Sequence, residues 1–329
     1  MEGDHGIIII GGKGLLALWW RSLRDGVAID IHANGWRALE QLGVANELRG
    51  TANLITAKEL RCLRRKDLID TLDKNIPAET IRFGCHIASI HSDPGSHATV
   101  LKTVNGATMK AKVLIGCDGA NSVVAKYLGL SVPKKIPRMI LRGFTRYPHA
   151  HPFGTEFFRI IGGDFVFGCL PINDNLVGFF VDCVDPSAAV TGVIQNSDPE
   201  SLHVATKFYY RHLCQVMFGS FQKGHVTVAG DAMHVMGPFI GQGGSGGLED
   251  AIVLARLLRR ATPRGLNIDA IREYIQERRL RVALLSLEAF VMGALMRAKT
   301  GVSKVCCIIV LAILGHNSLR HTNYDCGRL

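Results

Sequence analysis

Hydrophobic and polar positions in the first 130 residues switch repeatedly between strand and helix periods, which predicts mixed α/β structure. Four consecutive isoleucines at residues 7–10 run into Gly11 and Gly12, and this pattern predicts a buried strand followed by a turn. The other predicted elements are a helix over 15–24, a strand over 27–31, a helix over 36–42 capped by Asn34, a strand end and helix over 59–75, strands over 81–83, 98–104 and 113–117, and a short helix from Ser122.

The pattern changes twice more along the chain. Extended segments separated by Gly and Pro predict an antiparallel sheet over 157–161, 165–170 and 176–183. A β-branched run at 226–228 then predicts a buried strand, and residues 268–314 are mostly helical in pattern. The predicted fold class is therefore α/β, interrupted by a mainly antiparallel part and ending in helices.

Composition narrows the function classes. The net charge of the 329 residues is +10, but the basic residues are scattered and are not interleaved with aromatic ones, so we expect no nucleic-acid partner. The nine cysteines show no metal-binding spacing and fit a reducing compartment.

Residues 7–10 are too short for a signal peptide, so a cytoplasmic location is expected. The apolar window 305–314 is shorter than the roughly 20 residues that span a bilayer. We expect a buried helix there, and a peripheral membrane contact is the less favoured alternative.

Three glycine- and aspartate-containing segments carry the candidate chemistry. The first is the turn Gly11, Gly12 and Gly14 after the isoleucine strand, the usual setting for dinucleotide phosphates, although Lys13 and Leu15 replace the small residues of a GxGxxG turn. The second places Asp118 and Gly119 at a strand end before the cap Ser122. The third places Gly230 and Asp231 after the strand at 226–228.

A glycine-dense loop follows the third segment, with five glycines between residues 241 and 247. A helix is predicted to begin after it, with Glu249 and Asp250 in its first turn and an apolar face formed by Leu248, Ala251, Ile252, Ala255 and Leu258. Backbone N–H groups at such a helix start, with no side chains in the way, favour an anionic planar or phosphorylated ligand.

Together these segments resemble the class A flavoprotein monooxygenases of the p-hydroxybenzoate hydroxylase fold, and most closely their plant salicylate hydroxylase-like and zeaxanthin epoxidase-like members. The DG motif of that family matches Asp118, Gly119 and Ser122. Its GD motif, GDAxHxMxPxxGQG, matches Gly230, Asp231, His234, Pro238, Gly241, Gln242 and Gly243. Residues 34–44 and 320–327 also resemble the plant members, so the likeness covers nearly the whole chain.

The resemblance implies a Rossmann-like FAD-binding domain in two parts, 1–132 and 223–329, around a substrate domain at 133–222. It implies FAD as cofactor, NAD(P)H and O2 as co-substrates, and a flavin C4a-hydroperoxide that hydroxylates or epoxidises a small aromatic or hydrophobic substrate. The implied cofactor-binding residues are Gly11, Gly12, Gly14, Arg61, Arg65, Asp118, Gly119, Gly230, Asp231, Pro238, Gly241, Gln242, Gly243 and Gly244. Pro238 and His234 would line the flavin loop, and neither a catalytic base nor a metal site is expected.

The chain is shorter than this family at two internal places. Only twelve residues separate Gly14 from Val27, where relatives have a helix, a strand and the acid that holds the adenosine ribose. A second shortening lies between Ile194 and Gly219. Two alternatives therefore stay open, namely a catalytically silent remnant with an interaction role and a flavin-free NAD(P)-dependent dehydrogenase.

Overall fold

A computed structural model describes residues 3–11, 28–55, 59–96, 98–162, 165–183, 197–205, 208–261, 268–314 and 320–329. The helices are α1 (Ala33–Gln41), α2 (Ala45–Arg49), α3 (Arg65–Asp73), α4 (Val123–Tyr127), α5 (Leu213–Phe218), α6 (Asp231–His234), α7 (Gly243–Ala261), α8 (Ile268–Arg297) and α9 (Gly301–Leu314). Short 3-10 helices are formed by Pro199–Ser201, Pro238–Ile240 and Arg320–Asn323.

Sixteen strands complete the described elements. They are β1 (Gly3–Gly11), β2 (Ala28–Ile31), β3 (Leu54–Ile55), β4 (Leu60–Arg64), β5 (Ile87–Ser92), β6 (Thr99–Thr103), β7 (Thr108–Cys117), β8 (Lys134–Ile136), β9 (Met139–Arg146), β10 (Phe158–Ile161), β11 (Phe165–Asn173), β12 (Leu176–Cys183), β13 (His203–Ala205), β14 (Phe208–Tyr210), β15 (Gln222–Lys223) and β16 (Val226–Val228).

The elements fall into two compact units, which confirms an α/β fold with a mainly antiparallel part. The first unit comprises residues 1–16, 82–134 and 209–329, and the second comprises residues 17–81 and 135–208. Residues 17–81 thus group with the antiparallel part. The predicted domain boundaries at 132 and 222 were placed by sequence motifs, whereas the two units are defined by compactness. The boundaries therefore stay a prediction.

The first unit is organised around β7. The strand pairs in parallel with β1 on one side, and on the other side with β16 in parallel and β6 in antiparallel. A Cβ at Gly116 of β7 would lie 2.5 Å from Val124 Cβ, so glycine lets α4 pack directly on this strand. The predicted strands at 98–104, 113–117 and 226–228 are confirmed by β6, β7 and β16.

The strand predicted at residues 7–12 is confirmed as far as Gly11, where the described residues end, but its predicted burial is wrong. β1 pairs only with β7 among the described strands, and Ile9 is 62% exposed. Ile7 is exposed on the same face of the strand. The physical reason is the short connection to β2, because the segment that would supply a covering helix and a neighbouring strand has only twelve residues between Gly14 and Val27. The helix predicted over 15–24 lies outside the described residues.

The second unit contains an antiparallel sheet in the order β10–β11–β12–β9–β13, and a smaller antiparallel sheet β2–β4–β3. The extended segments at 157–183, the strand at 27–31 and the strand–helix pair at 59–75 are therefore confirmed. Two local predictions are wrong. Asn34 lies inside α1 and is buried, while His32 occupies the cap position, and residues 81–83 form a loop that runs into a turn rather than a strand.

The C-terminal region of the first unit is helical, as predicted, with α8 of 30 residues followed by α9. The expectation that residues 305–314 are buried is wrong, because none of the α9 residues is buried. High hydropathy identifies a segment as apolar, but it does not show that another element covers it. Within the described residues, no helix combines the length and the hydropathy that crossing a membrane requires.

Candidate functional site

The parallel register of three strands brings the three sequence motifs to one edge of the first unit's sheet. Gly11 at the end of β1 pairs with Cys117 at the end of β7, and Val228 of β16 pairs with Gly116. Parallel strands place their carboxyl ends at the same edge, where α/β proteins bind their ligands. Asp118 and Gly230 each follow one of these strand ends, so Gly11, the DG motif and the GD motif meet.

The DG motif forms a capped helix start. Ser122 Oγ accepts a hydrogen bond of 2.8 Å from Ala125 N, which confirms the predicted cap of α4. Asp118 is buried, and its Oδ2 accepts a hydrogen bond of 2.6 Å from Val123 N. Its Oδ1 is buried with no hydrogen-bond partner among the described residues. Burial raises the pKa of this carboxyl group, so the site would gain from a ligand that donates a hydrogen bond to it.

The GD motif forms a loop of tight turns, called here the GD loop (residues 230–244). Gly230 and Gly241 both have positive φ, at 58° and 64°, which favours glycine. Asp231 is exposed at the start of α6, and Pro238 is exposed at the start of the 3-10 helix. Gly243 has no atom within 4 Å of the place where a Cβ would lie, so the start of α7 is open.

The beginning of α7 corrects one prediction. The helix begins at Gly243, so four of the five glycines at 241–247 lie in its first turns, and Glu249 and Asp250 lie beyond the first turn. Both carboxylates are buried, whereas Ala251 and Ala255 of the predicted apolar face are exposed. The N-terminal turn therefore carries no acidic side chain, and its N–H groups are available to an anion.

A buried ionic network fixes the GD loop to the helices behind it. Asp250 Oδ2 accepts a hydrogen bond of 2.7 Å from Gly230 N and lies 2.7 Å from His234 Nε2. Asp250 Oδ1 accepts a hydrogen bond of 2.7 Å from Arg278 Nε on α8. Burial alone would raise the pKa of Asp250, but His234 and Arg278 more than offset that effect and hold the pKa below its usual value.

The network continues toward the C-terminal segment. Arg278 Nη2 and Arg281 Nη2 lie 2.6 and 2.8 Å from the two carboxylate oxygens of Glu249. The guanidinium carbon of Arg281 lies 4.7 Å from the ring centre of Tyr324, and Arg281 Nη2 donates to His321 O. Residues 320–327, which resemble the plant members in sequence, are thereby joined to the helix that follows the GD loop.

The remaining predicted site residues lie elsewhere. Arg61 and Arg65 belong to the second unit, where Arg61 lies on β4 and Arg65 begins α3. Arg61 Nη1 donates a hydrogen bond of 2.7 Å to Ala52 O, so part of its guanidinium has a structural role. Gly12 and Gly14 lie outside the described residues.

Sequence reasoning missed the residues that hold the GD loop in place. Arg278 was not considered, and Arg211, whose Nη2 donates a hydrogen bond of 3.0 Å to Ala232 O, was not considered either. One sequence signal for such cationic residues was available, namely two adjacent acids within an apolar stretch of a predicted helix. If that stretch is buried, its carboxylates need cationic partners. Nothing local identifies Arg278, which is 28 residues from Asp250.

Comparison with known proteins agrees with this site. The family described as FAD binding domain matches residues 64–145 and 197–287, more than half of the chain. Monooxygenase 1 of Arabidopsis thaliana is 38% identical, covering 99% of this chain and 100% of that protein. Monooxygenase 2 of the same plant is 28% identical, covering 100% and 99%. The chain therefore belongs to the FAD-binding-domain family, and its class is that of the class A FAD-dependent monooxygenases, whose cofactor is FAD.

Solved structures share the fold. Klebsiella pneumoniae HpxO complexed with FAD and uric acid superposes with a TM-score of 0.73 at 18% identity, covering 98% of this chain and 96% of that one. A salicylate hydroxylase substrate complex superposes with a TM-score of 0.74 at 18% identity, with the same coverage. At this identity the likeness supports the fold alone.

The alignment with Monooxygenase 1 also supports the internal shortening. It runs over 396 positions, and this chain has 329 residues, so at least 67 positions (396 less 329) face no residue of this chain. Since the alignment covers 99% of the chain, those gaps lie within it.

Proposed function

We propose that this chain uses NAD(P)H and O2 to hydroxylate or epoxidise a small aromatic or hydrophobic molecule with bound FAD. The observation that carries the proposal is the shared sheet edge, where β7 and β16 end in the DG and GD motifs. The named ligands of structural neighbours, uric acid for HpxO and the substrate of salicylate hydroxylase, support a small planar substrate.

The GD loop would hold the flavin end of the cofactor. Asp231 would accept hydrogen bonds from the ribityl hydroxyl groups, because it is exposed at a strand end. The start of α7, from Gln242 to Gly244, would stabilise negative charge on the reduced ring through backbone N–H groups. Pro238 would flank the ring. His234 would act only through the loop, since its side chain is buried against Asp250.

Asp118 and Gly119 would hold the middle of the cofactor. The buried Oδ1 of Asp118 fits a hydroxyl donor of FAD, and Gly119 leaves room for it. Gly11, Gly12 and Gly14 would approach the diphosphate, and a role for Arg61 and Arg65 in cofactor binding stays a prediction from the resemblance. Bound FAD supplies the redox chemistry, taking a hydride from NAD(P)H and activating O2.

The second candidate is a catalytically silent member of the family with an interaction role. The exposed isoleucines of β1 favour it, because they mark the place where the cofactor domain has lost its covering elements. Such a chain would bind FAD weakly or not at all and would not oxidise NAD(P)H in response to a substrate.

The experiment is reconstitution of the purified chain with FAD, followed by NADH and NADPH oxidation in the presence of aromatic acids and uric acid. We expect one compound to stimulate oxidation and to gain one labelled atom from ¹⁸O2, as seen by mass spectrometry. Asp231→Ala is the matched inactive control. A folded chain that retains no FAD and shows no stimulation by any compound would favour the silent candidate, whereas label from water instead of O2 would contradict monooxygenation.

A further inference from the structure

The most unusual surface of the chain is α9. Its apolar face, defined as Val302, Val305, Ile308, Ile309, Val310 and Ile313, is exposed, with Val302 and Ile313 at 76% and 78%. The helix packs against α8, and Cys307 and Leu311 are partly buried. A helix that is apolar around most of its circumference is normally covered by protein or by lipid.

The charged residues near this helix indicate whether protein or lipid covers its apolar face. Residues 289–324 contain no Asp or Glu, while Arg297, Lys299 and Lys304 lie at and just before the N-terminal end of α9. The side chains of all three are exposed. A cluster of cations beside an exposed apolar face is the combination that binds anionic membrane surfaces.

We propose that α9 attaches this protein to the surface of an anionic lipid bilayer. Its apolar face enters the boundary between headgroups and acyl chains, and Lys299 and Lys304 contact the headgroups. At 1.5 Å per residue the helix is about 21 Å long, shorter than the hydrocarbon core of about 30 Å, so it lies in the interface.

A second copy of the chain is the competing occupant. A two-fold contact through α9 would place the same basic, acid-free segment against its own copy, and neither copy would offer an acidic partner. Anionic lipid headgroups provide the negative charge that a second copy of this segment would not offer. This attachment does not depend on FAD or on catalysis, so its test is separate from that of the proposed function.

The test is flotation of the full chain with vesicles of neutral phosphatidylcholine and with vesicles that also contain phosphatidylglycerol. A reducing buffer is needed because Cys306 is exposed. We expect flotation with the anionic vesicles only. Lys304→Gln should weaken it by about fivefold, the effect of one cation near the membrane. Ile309→Asp should weaken it more than tenfold, because a charge replaces an inserted apolar side chain.

Val132→Asp is the matched control, since Val132 is 79% exposed and far from α9 in sequence, and its flotation should match that of the wild type. Circular dichroism shows whether each variant remains folded. Equal flotation with both vesicle types would overturn the anionic assignment. Absence of flotation, together with self-association that Ile309→Asp abolishes, would overturn the membrane proposal and assign the face to a second copy.

Discussion

Two carboxylates at the sheet edge lie in opposite environments, and neither environment makes the carboxylate a source of fold stability. Asp118 is buried with one oxygen lacking a hydrogen-bond partner among the described residues, whereas Asp231 is exposed. A buried carboxylate without full hydrogen bonding costs stability, and an exposed one contributes little to it. Replacing either residue should therefore affect cofactor affinity more than the stability of the fold.

Asp231→Ala should weaken FAD binding by at least about tenfold, the effect of losing a charge-assisted hydrogen bond of about 1.5–3 kcal/mol. The melting temperature of the FAD-free chain should stay unchanged, because the side chain is exposed. Fluorescence titration with FAD measures the affinity. Glu273→Ala, which removes an exposed carboxylate from α8, is the control and should bind FAD normally. Equal affinities of the two variants would contradict the assigned role of Asp231.

Asp118→Asn should weaken FAD binding without lowering the stability of the FAD-free chain. Burial raises the pKa of Asp118, so an ionised Asp118 carboxylate lowers the stability of the folded state relative to the unfolded chain. Asparagine removes that cost and keeps an oxygen for Val123 N. Urea unfolding at pH 7 should give an unfolding free energy equal to the wild-type value or up to about 1 kcal/mol higher. A loss of stability would mean that the role of Asp118 is mainly structural.

At the scale of elements, the GD loop depends on α7 and α8 for its position. Asp250 joins the backbone of Gly230 to His234 and Arg278, all in a region from which water is excluded. Buried ion pairs of this kind contribute little when complete, but they are costly when one partner is removed. Their value here is that they fix the turn from which Asp231 projects.

Asp250→Ala should lower the unfolding free energy by about 3–5 kcal/mol, because it removes the buried carboxylate that accepts from Arg278 Nε and Gly230 N, while Arg278 keeps its contact with Glu249. Adding Arg278→Met should recover part of this loss, so the two effects should not be additive. Asp269→Ala breaks an exposed pair with Arg272 and should cost less than about 1 kcal/mol. Chemical unfolding of the wild type, of the single variants Asp250→Ala, Arg278→Met and Asp269→Ala, and of the double variant measures these energies, and strict additivity would contradict a coupled network.

The same network predicts a pH dependence. The pKa of Asp250 is lowered in the folded chain, so an unfolded chain binds the proton first as pH falls below about 4. The stabilisation is complete above that pH and is lost as pH falls toward the folded-state pKa. Unfolding free energies measured from pH 6 to pH 3 should therefore decline in the wild type and decline less steeply in Asp250→Asn. Parallel profiles would show that Asp250 does not cause the decline.

Sequence reasoning predicted elements better than it predicted what surrounds them. The strand at 226–228 and the cap Ser122 follow from local patterns, since periodicity and capping act over a few residues. Burial is set by distant partners. Glu249 and Asp250 are of residue types that usually lie at the surface, and they are buried here because arginines of α8 pair with them. β1 is exposed because it has too few neighbouring elements. α9 is apolar, but none of its residues is buried.

At the scale of the whole molecule, we predict that the two ends of the cofactor site contribute unequally to FAD binding. We predict that the GD loop binds the flavin end, whereas the connection after the first glycine turn, with twelve residues between Gly14 and Val27, lacks the acid that the resemblance implies for the adenosine ribose. The gaps of the alignment with Monooxygenase 1 lie within this chain, which agrees with an internal shortening. We therefore expect the flavin half of FAD to provide most of the binding energy.

FAD and FMN should consequently bind with dissociation constants within about tenfold of each other, a difference of no more than about 1.4 kcal/mol. Parallel fluorescence titrations of the same preparation measure the two constants. An FAD affinity more than about a hundredfold above that of FMN would show that the adenosine end remains effective.

The most direct test of the central claim is the titration of purified, FAD-free chain with FAD, followed by flavin absorbance after removal of unbound cofactor. If the GD loop and Asp118 form a flavin site, binding should saturate at one FAD per chain, and the protein should remain yellow. A folded chain that stays colourless at saturating FAD would contradict the account.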